Sequence, residues 1–186
     1  IFASHCKASS HPEVERRTER YNRQLRMNLE LRPITDSDLE FLYQVYASTR
    51  SAEMALVDWD DTQKEAFLRF QFNAQHKYYQ ENYSQAQFSI VCHNGLPIGR
   101  LYLDRRETEI RIVDITLLPE QRGQGTGSRV LGQVLAEGDQ TGKRVSIHVE
   151  RNNPALSLYE RLGFRITADR GVYWFMEREP QSREEA

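Results

Sequence analysis

Three glycines at alternate positions, Gly123, Gly125 and Gly127, stand where an apolar, strand-like run gives way to a helix-like pattern. The run before them is EIRIVDITLL (109–118), and the pattern after them is SRVLGQVLAEG (128–138). Glycines let successive backbone N–H groups turn toward one point without obstruction by a Cβ atom. The positive end of the following helix adds to their effect. The segment therefore predicts a pyrophosphate site, with an ordinary mobile surface loop as the alternative.

Two well-known phosphate loops do not match this segment. A Walker loop has Gly, four residues and then Gly-Lys-Ser/Thr, and counting from Gly123 puts Ser128 at the second glycine. The dinucleotide fingerprint G-x-G-x-x-G also fails, because Ser128 stands where its third glycine belongs. What remains is the pattern Arg122-x-x-Gly125-x-Gly127, placed between a strand and a helix.

The composition narrows the class of protein. The chain has 186 residues, 39% of them apolar and 28% charged, which is typical of one globular domain. A net charge of −2 leaves no excess of cations for a nucleic acid. No apolar stretch reaches the roughly 20 residues that span a bilayer, and the first residues lack a signal-like run. Cys6 and Cys92 form neither a disulfide framework nor a metal pattern. We expect a soluble cytoplasmic protein with no metal and with neither nucleic acid nor membrane as partner.

The chain divides into three parts. Residues 1–26 are charged almost throughout, with Val14, Tyr21 and Leu25 as one thin helical stripe, and they predict a flexible or helical N-terminal extension. Residues 27–180 carry the periodic patterns of a folded domain. Residues 181–186 form a C-terminal tail.

The periodic segments predict a β-α-α-β-β-β-α-β-α-β-β order, and hence an α/β domain whose mixed, mostly antiparallel central sheet is flanked by helices. The stripe of the second helix is Phe67, Phe70, Ala74 and Tyr78. An Asn-Gly pair predicts a hairpin after the second strand. The segments are, in order, 28–34, 36–49, 62–83, 87–93, 97–105, 109–118, 128–138, 143–150, 153–163, 164–169 and 171–178.

Two motifs carry a family resemblance. The pattern Arg122-x-x-Gly125-x-Gly127 resembles the acyl-CoA-binding motif Gln/Arg-x-x-Gly-x-Gly/Ala of the GNAT superfamily of N-acetyltransferases. The downstream segment ERNNPALSLYERLGF (150–164) resembles that family's Asn-Pro-Ala…Leu-Tyr-Glu-x-x-Gly-Phe signature. The resemblance covers roughly residues 28–178. It implies a GNAT-like fold and transfer of an acetyl group from acetyl-CoA to a primary amine in a ternary complex. A non-catalytic acyl-CoA-binding regulatory module is the alternative.

The resemblance also implies which residues bind acetyl-CoA. In the family, the strand before the glycine loop and the strand after the motif helix splay apart and admit the pantetheine arm. The residues implied are Ile115, Thr116 and Leu117 for pantetheine; Arg122, Gly123, Gln124, Gly125, Thr126, Gly127 and Ser128, with the charge of Arg129, for the pyrophosphate; and Asn153 and Tyr159 beside the cofactor arm. For Asn153, a plain helix cap is an equal interpretation.

Tyr159 resembles the family's general acid. A phenol with a pKa of about 10 can protonate a thiolate of comparable basicity without a large energetic mismatch. Its alternative role is that of a core aromatic packed with Leu158 and Leu162. The backbone N–H of Leu117, exposed where the strands splay, would polarise the thioester carbonyl.

Three residues are candidates for the general base that deprotonates the amine. Asp114 interrupts an apolar run, where a carboxylate is costly unless it is used or paired. It is the first candidate for the base, directly or through water, against an equal structural alternative. His148 and Glu150 are the next candidates.

The amine acceptor is expected to bind at the connection between the first two helices. There, Glu53 and Asp58 surround Trp59. An acidic rim suits a cationic amine, and an indole ring can stack on it. In the alternative interpretation Asp58 and the following Asp60 and Asp61 merely cap the second helix. The acceptor would be a small-molecule or peptide amine, and a homodimer is left open.

Overall fold

The computed structural model describes residues 28–181. The predicted extension 1–26, with its stripe of Val14, Tyr21 and Leu25, and most of the predicted C-terminal tail lie outside the described residues.

Residues 28–181 form seven strands and five α-helices in the predicted order, with one addition. The additional element is the one-turn helix α2, which lies between the first two predicted helices. In chain order the elements are β1 (Leu29–Pro33), α1 (Leu39–Ser48), α2 (Ser51–Met54), α3 (Asp61–Asn82), β2 (Gln87–His93), β3 (Leu96–Arg105), β4 (Glu109–Leu117), α4 (Thr126–Thr141), β5 (Arg144–Glu150), α5 (Leu156–Arg161), β6 (Arg165–Arg170) and β7 (Tyr173–Arg178).

All seven strands belong to one sheet with the order β1-β2-β3-β4-β5-β7-β6. Five of the six strand pairs are antiparallel, and the β4–β5 pair is parallel. The predicted mixed, mostly antiparallel sheet is therefore confirmed. The β2–β3 hairpin turns at Asn94 and Gly95, which both have positive φ values, 51° and 78°. Two positive φ values are typical of the tight turn that an Asn-Gly pair forms.

The sheet has helices on both faces, and each face has its own apolar core. On one face α4 and α5 cover the centre of the sheet, where Ile112, Val134 and Ile147 are buried. On the other face α1 and α3 bury Leu42 and Tyr102. No helix within residues 28–181 is long and apolar enough to cross a membrane.

The face that α3 turns to the core differs from the predicted one. Leu68 and Phe72 are buried, whereas Phe70 of the predicted stripe is 72% exposed and Tyr78 is 54% exposed. The helix carries two aromatic rows, and its periodicity alone does not distinguish them. Packing against α1 and the sheet selects the row that contains Phe72, whose ring meets Tyr43 of α1 at a centroid distance of 6.0 Å.

Candidate active site

The parallel strands β4 and β5 part in the middle of the sheet. Residues 109–112 of β4 pair with residues 144–147 of β5, and the pairing ends there. At the same level β4 has a bulge: Tyr102 of β3 lies opposite Asp114 and Leu103 lies opposite Ile112, so Val113 is the extra residue. A bulge bends its strand and increases the local twist. The bulge therefore coincides with the start of a gap between residues 113–117 of β4 and 148–150 of β5.

Two backbone N–H groups of β4 face this gap. The N–H of Leu118 donates to the carbonyl oxygen of Ile98 on β3, at 2.9 Å. Peptide groups of an antiparallel strand alternate between facing the partner and facing away from it. Leu117 and Ile115 therefore direct their N–H groups away from β3, into the gap. The peptide group of Thr116, also predicted to bind pantetheine, faces β3 instead.

The glycine loop ends in an open helix N-terminus. Gly123 and Gly125 have φ values of 71° and 82°, a conformation that favours glycine. Helix α4 begins at Thr126, two residues before the predicted segment 128–138, and no side chain caps its first turn. A Cβ atom at Gly123 or Gly125 would meet no protein atom within 4 Å. The first-turn N–H groups lack partners within the helix, and the glycine loop before them leaves space for a ligand.

Thr126 gives this helix start a second polar group. Its side chain is buried, and its hydroxyl oxygen has no hydrogen-bond partner among residues 28–181. A buried hydroxyl without a partner costs stability. Next to free N–H groups and a positive helix end, it suits an oxygen atom of a phosphate. The residues present therefore fit the pyrophosphate of acetyl-CoA.

The side chains that flank the loop hold it in place. Arg122 donates from Nε to the carbonyl oxygen of Leu117, at 2.8 Å, and from Nη2 to the hydroxyl of Ser48, at 3.1 Å. Gln124 donates to the carbonyl oxygen of Glu120. Arg122, which the sequence placed at the pyrophosphate, is thus engaged in joining the loop to β4 and α1.

The remaining predicted loop residues lie at the first turn of α4. Gly127 faces α5, where an added Cβ atom would lie 3.5 Å from Leu158 Cδ2. Ser128 and Arg129 follow it and are half-buried.

Tyr159 lies on α5 and is 5% exposed. Its ring meets Phe164 edge to face, with centroids 5.7 Å apart. Burial raises the pKa of the Tyr159 phenol, and the charge of Asp114 raises it further. The hydroxyl therefore stays protonated at neutral pH, as a general acid must, but the raised pKa also makes it a weaker proton donor than a free phenol. The structure also gives the ring the packing role that was the alternative.

Asn153 stabilises the turn that leads into α5. Its Oδ1 atom accepts from the N–H of Ala155 at 2.8 Å, and its own N–H donates to the carbonyl oxygen of Glu150 at 3.0 Å. The helix begins at Leu156 with Ala155 as its N-cap residue, so Asn153 lies two residues before the cap position that one interpretation of the sequence gave it. Asn153 thus anchors the chain directly after β5, at the edge of the gap.

Asp114 is paired with Arg100 of β3. Arg100 donates from Nη2 to Oδ2 at 2.8 Å and from Nε to Oδ1 at 3.2 Å. The hydroxyl of Tyr79 donates to Oδ2 at 3.1 Å, and the hydroxyl of Thr116 donates to Oδ1 at 2.9 Å. Four donors therefore surround this carboxylate. This arrangement matches the structural alternative for Asp114, and a base role would require the carboxylate to leave Arg100.

His148 is held by Arg111, whose Nη2 donates to His148 Nδ1. A guanidinium group only donates, so Nδ1 is the acceptor nitrogen and the neutral ring carries its hydrogen on Nε2. Burial lowers the pKa of His148, and the charges of Arg111 and Arg170 lower it further. The lone pair that a base needs is therefore occupied by Arg111. Glu150, two residues further along β5 and exposed, has no such contact among the described residues.

A cavity of about 740 Å³ opens where β4 and β5 part, on the face covered by α3. Its walls are formed by the last two turns of α3, by β4 and β5, and by the hairpin of β6 and β7. Lining residues include Tyr79, Arg111, Val113, His148, Arg170 and Phe175.

The predicted acceptor-binding residues do not line this cavity. Glu53 pairs with Arg50 at 2.9 Å, and Trp59 packs edge to face on Phe67, at a centroid distance of 5.2 Å. Asp58 is exposed. All three precede α3, whose 22 residues span about 33 Å, whereas the cavity lies at the other end of that helix. The acidic rim is therefore separate from this cavity, and its role in binding the acceptor stays a prediction.

The capping alternative holds for Asp60. Its side chain accepts a hydrogen bond from the N–H of Gln63 at 2.8 Å, and the side chain of Gln63 accepts one from the N–H of Asp60 at 3.1 Å. These reciprocal bonds form a capping box at the start of α3.

A sheet whose parallel strands part beside a glycine-rich helix start is the architecture of acyl-CoA-dependent acetyltransferases. The family model for the acetyltransferase (GNAT) family matches residues 52–164, and the chain belongs to this family.

Solved structures agree with this assignment at the level of the fold. A PaiA N-acetyltransferase from Thermoplasma acidophilum, in complex with coenzyme A, has a TM-score of 0.62 and 19% identity, over 82% of this chain and 99% of that one. An acetyltransferase from Thermus thermophilus has a TM-score of 0.60 and 21% identity, over 83% and 98%. The ribosomal-protein-S18-alanine N-acetyltransferase from Escherichia coli has a TM-score of 0.57 and 16% identity, over 86% and 99%.

Proposed function

We propose that the protein transfers an acetyl group from acetyl-CoA to a primary amine, by direct attack in a ternary complex. One observation carries the proposal. The gap between β4 and β5 receives the N–H groups of Ile115 and Leu117, and it lies between the open helix start at Thr126 and the cavity. A donor bound at the helix start could lay its arm along β4 and present its thioester to the cavity.

Acetyl-CoA binding would use backbone groups more than side chains. The first-turn N–H groups of α4 and the hydroxyl of Thr126 would bind the pyrophosphate. The amides of the pantetheine arm would pair with Ile115 and Leu117 like an added strand in the gap. In this arrangement the thioester carbonyl lies within reach of one of these two N–H groups, which stabilises the negative charge that develops on its oxygen.

The transfer would proceed in one attack. The lone pair of the neutral amine attacks the carbonyl carbon, a C–N bond forms, and the C–S bond breaks. The departing sulfur takes the proton of the Tyr159 hydroxyl. The attacking nitrogen gives up its extra proton through water. Glu150 is the acceptor we propose for it, because the lone pairs of Asp114 and His148 are already occupied.

The competing function is a non-catalytic acyl-CoA-binding module. Such a module would keep the glycine loop and the gap, but it would not need the Tyr159 hydroxyl or a cavity next to the thioester. A screen of primary amines with acetyl-CoA, with release of free thiol as the readout, tests the proposal. Amine-dependent thiol release is expected. Tight acetyl-CoA binding without transfer to any amine would instead support the module.

The proposal includes the cellular compartment of the enzyme and the bounds of its catalytic domain. We place it in the cytoplasm, where thiols such as the free Cys92 stay reduced. The catalytic unit would be residues 27–180.

A further inference from the structure

We propose that the amine acceptor also carries an anionic group, a carboxylate or a phosphate, and that Arg111, Arg170 and His148 bind it in the cavity. This inference rests on the proposed acetyl transfer and names the chemical class of its acceptor. It follows from one buried cation, Arg111, that forms no ion pair with any residue from 28 to 181.

Arg111 is that cation. It is 7% exposed and lies on β4, directly before the strands part. Its guanidinium group donates to the hydroxyl of Ser146 at 3.3 Å and to Nδ1 of His148, and it lies 5.0 Å from the ring centre of Phe175. These partners are all uncharged. Burial lowers the pKa of Arg111, and Tyr83 and the carboxylates of Glu109 and Glu177, none of which bonds to its guanidinium group, offset this only in part.

The other buried arginines of the described residues have counter-ions. Arg100 is 3% exposed and binds both oxygens of Asp114. Arg178 is 7% exposed and binds both oxygens of Asp139, at 2.7 and 3.1 Å. This fork geometry is the usual way to offset a buried guanidinium charge. Arg111 has the same burial without the carboxylate, and its side chain lines a cavity.

The acidic side chain nearest to this site in the strand is already neutralised. Glu109, on the same face of β4, is 7% exposed, accepts from the hydroxyl of Ser146, and accepts from Arg106 Nη1 at 3.2 Å. It reaches Arg111 only through the shared Ser146 hydroxyl. A second anion, from outside the chain, would supply the missing partner directly.

Two further donors complete the site. His148 lines the cavity, and its Nε2 carries a hydrogen because Arg111 occupies Nδ1. Arg170 lines the cavity, is exposed, and forms no ion pair with the described residues. Among the described lining residues there is no Asp or Glu. The cavity thus presents donors and positive charge, opposite in sign to the acidic rim predicted from the sequence.

The location and size of the cavity suit a small acceptor. Ligand sites of roughly 300–1,000 Å³ hold drug-sized molecules, and this cavity measures about 740 Å³. It reaches Val113 at the start of the gap, so an acceptor held at Arg111 could direct its amine toward the thioester. Nearby positive charge also lowers the pKa of that amine, which favours its neutral, nucleophilic form.

The experiment compares matched pairs of amines with the full chain and acetyl-CoA at pH 7. The pairs are alanine and alaninamide, phenylalanine and phenylalaninamide, and phosphoethanolamine and ethanolamine. The amine of a carboxamide is less basic, so without an anion site the carboxamide would react faster. We expect at least one acid to exceed its neutral partner about tenfold or more in kcat/KM. The preferred pair distinguishes a carboxylate from a phosphate.

Two variants link this preference to the cavity. Arg111→Gln and Arg170→Gln should raise KM for the preferred acid, by roughly 10- to 100-fold for Arg111→Gln, and should raise it far more than KM for the neutral partner. Arg165→Gln is the control, because it removes an exposed arginine from the other end of β6, outside the cavity. The inference would be overturned if the neutral partners reacted as well as the acids, or if KM for the acids were the same in both variants as in the wild type. Either result would leave the proposed acetyl transfer intact.

A binding measurement tests the anion site even if no amine is acetylated. Calorimetry with benzoate and with inorganic phosphate, on protein saturated with CoA, should detect an anion site that Arg111→Gln abolishes and Arg165→Gln retains. Absence of acetyl transfer with this result would defeat the proposed function alone. Absence of any such binding would defeat the anion site.

Discussion

Arg100 Nη2 lies 2.8 Å from Asp114 Oδ2, and the two side chains are 4% and 10% exposed. The pair joins β3 to β4 directly beside the bulge at which β4 and β5 part. Tyr79 adds its hydroxyl from α3, so the same carboxylate also holds that helix against the sheet. The pair therefore positions the gap and one wall of the cavity.

Replacement of Asp114 by Asn should destabilise the domain. It leaves the buried charge of Arg100 without its counter-ion, a change that costs about 3–5 kcal/mol. The free energy of unfolding, measured with urea, should fall by about that much. Glu53→Gln is the control, because its pair with Arg50 is exposed and should cost less than about 1 kcal/mol. An Asp114→Asn protein of wild-type stability with a much lower kcat would instead identify Asp114 as the base.

Tyr159→Phe tests the general acid. It keeps the ring that packs on Phe164 and removes only the hydroxyl, so the melting temperature should change little. General acids contribute about 100- to 10,000-fold, and kcat should fall within that range while acetyl-CoA affinity stays constant. Transfer at the wild-type rate, on an amine for which chemistry limits turnover, would reduce Tyr159 to a packing residue.

Gly125→Val tests the pyrophosphate site. A valine Cβ would enter the open space at the start of α4, and the Kd of acetyl-CoA should rise by roughly 10- to 100-fold. The control is Gly142→Val at the other end of the same helix, where φ is 65° and the space is also open. Both variants place valine in a left-handed conformation and should lose about 1–2 kcal/mol of stability. Equal acetyl-CoA affinity in the two variants, by calorimetry, would contradict the assignment.

Gly138→Ala tests the packing of α4 on β5. An added Cβ would lie 2.9 Å from the carbonyl oxygen of Lys143 and 2.9 Å from Val145 Cγ2. Overpacking of this kind costs about 1–3 kcal/mol. The control is Gly132→Ala in the same helix, which meets no atom within 4 Å and should gain about 0.5–1 kcal/mol from helix propensity. The melting temperature should therefore fall in Gly138→Ala and rise in Gly132→Ala. A higher melting temperature in both variants would mean that α4 moves away from β5 easily.

Asp38 gives the stability a defined pH dependence. Hydrogen bonds from Arg32, at 2.7 and 2.8 Å, hold the pKa of the Asp38 carboxyl well below its usual range, and bonds from Thr35 add to this. A lowered pKa stabilises the folded state above the unfolded value of about 3.9, and this stability is lost as the pH falls below it.

Asp38→Asn should therefore lower the free energy of unfolding at pH 7, and the difference from the wild type should shrink as the pH falls below about 4. Urea unfolding at pH 7, 5 and 3 measures this difference. Asp36→Asn, in the same turn but exposed, is the control and should show little difference at any pH. A constant difference for Asp38→Asn would mean that its effect is not electrostatic.

The sequence by itself determined the order of the elements, the hairpin at Asn94 and Gly95, and the glycine loop before α4. These features depend on neighbours a few residues apart: alternation in strands, a turn that needs positive φ, and glycines that clear a helix start. The family motifs are equally local. For that reason the elements, the turn, the glycine loop and the motifs could all be predicted without knowledge of the fold.

The partners of charged residues were decided only by the tertiary structure. The sequence shows a charged residue within an apolar strand at Asp114. It shows another at Arg111, between Ile110 and Ile112. The sequence could not show that strand register brings Arg100 to Asp114 and leaves Arg111 beside Ser146 and His148. Register and helix packing are long-range, because they depend on how whole faces fit together. They bury one arginine with a counter-ion and leave another facing the cavity.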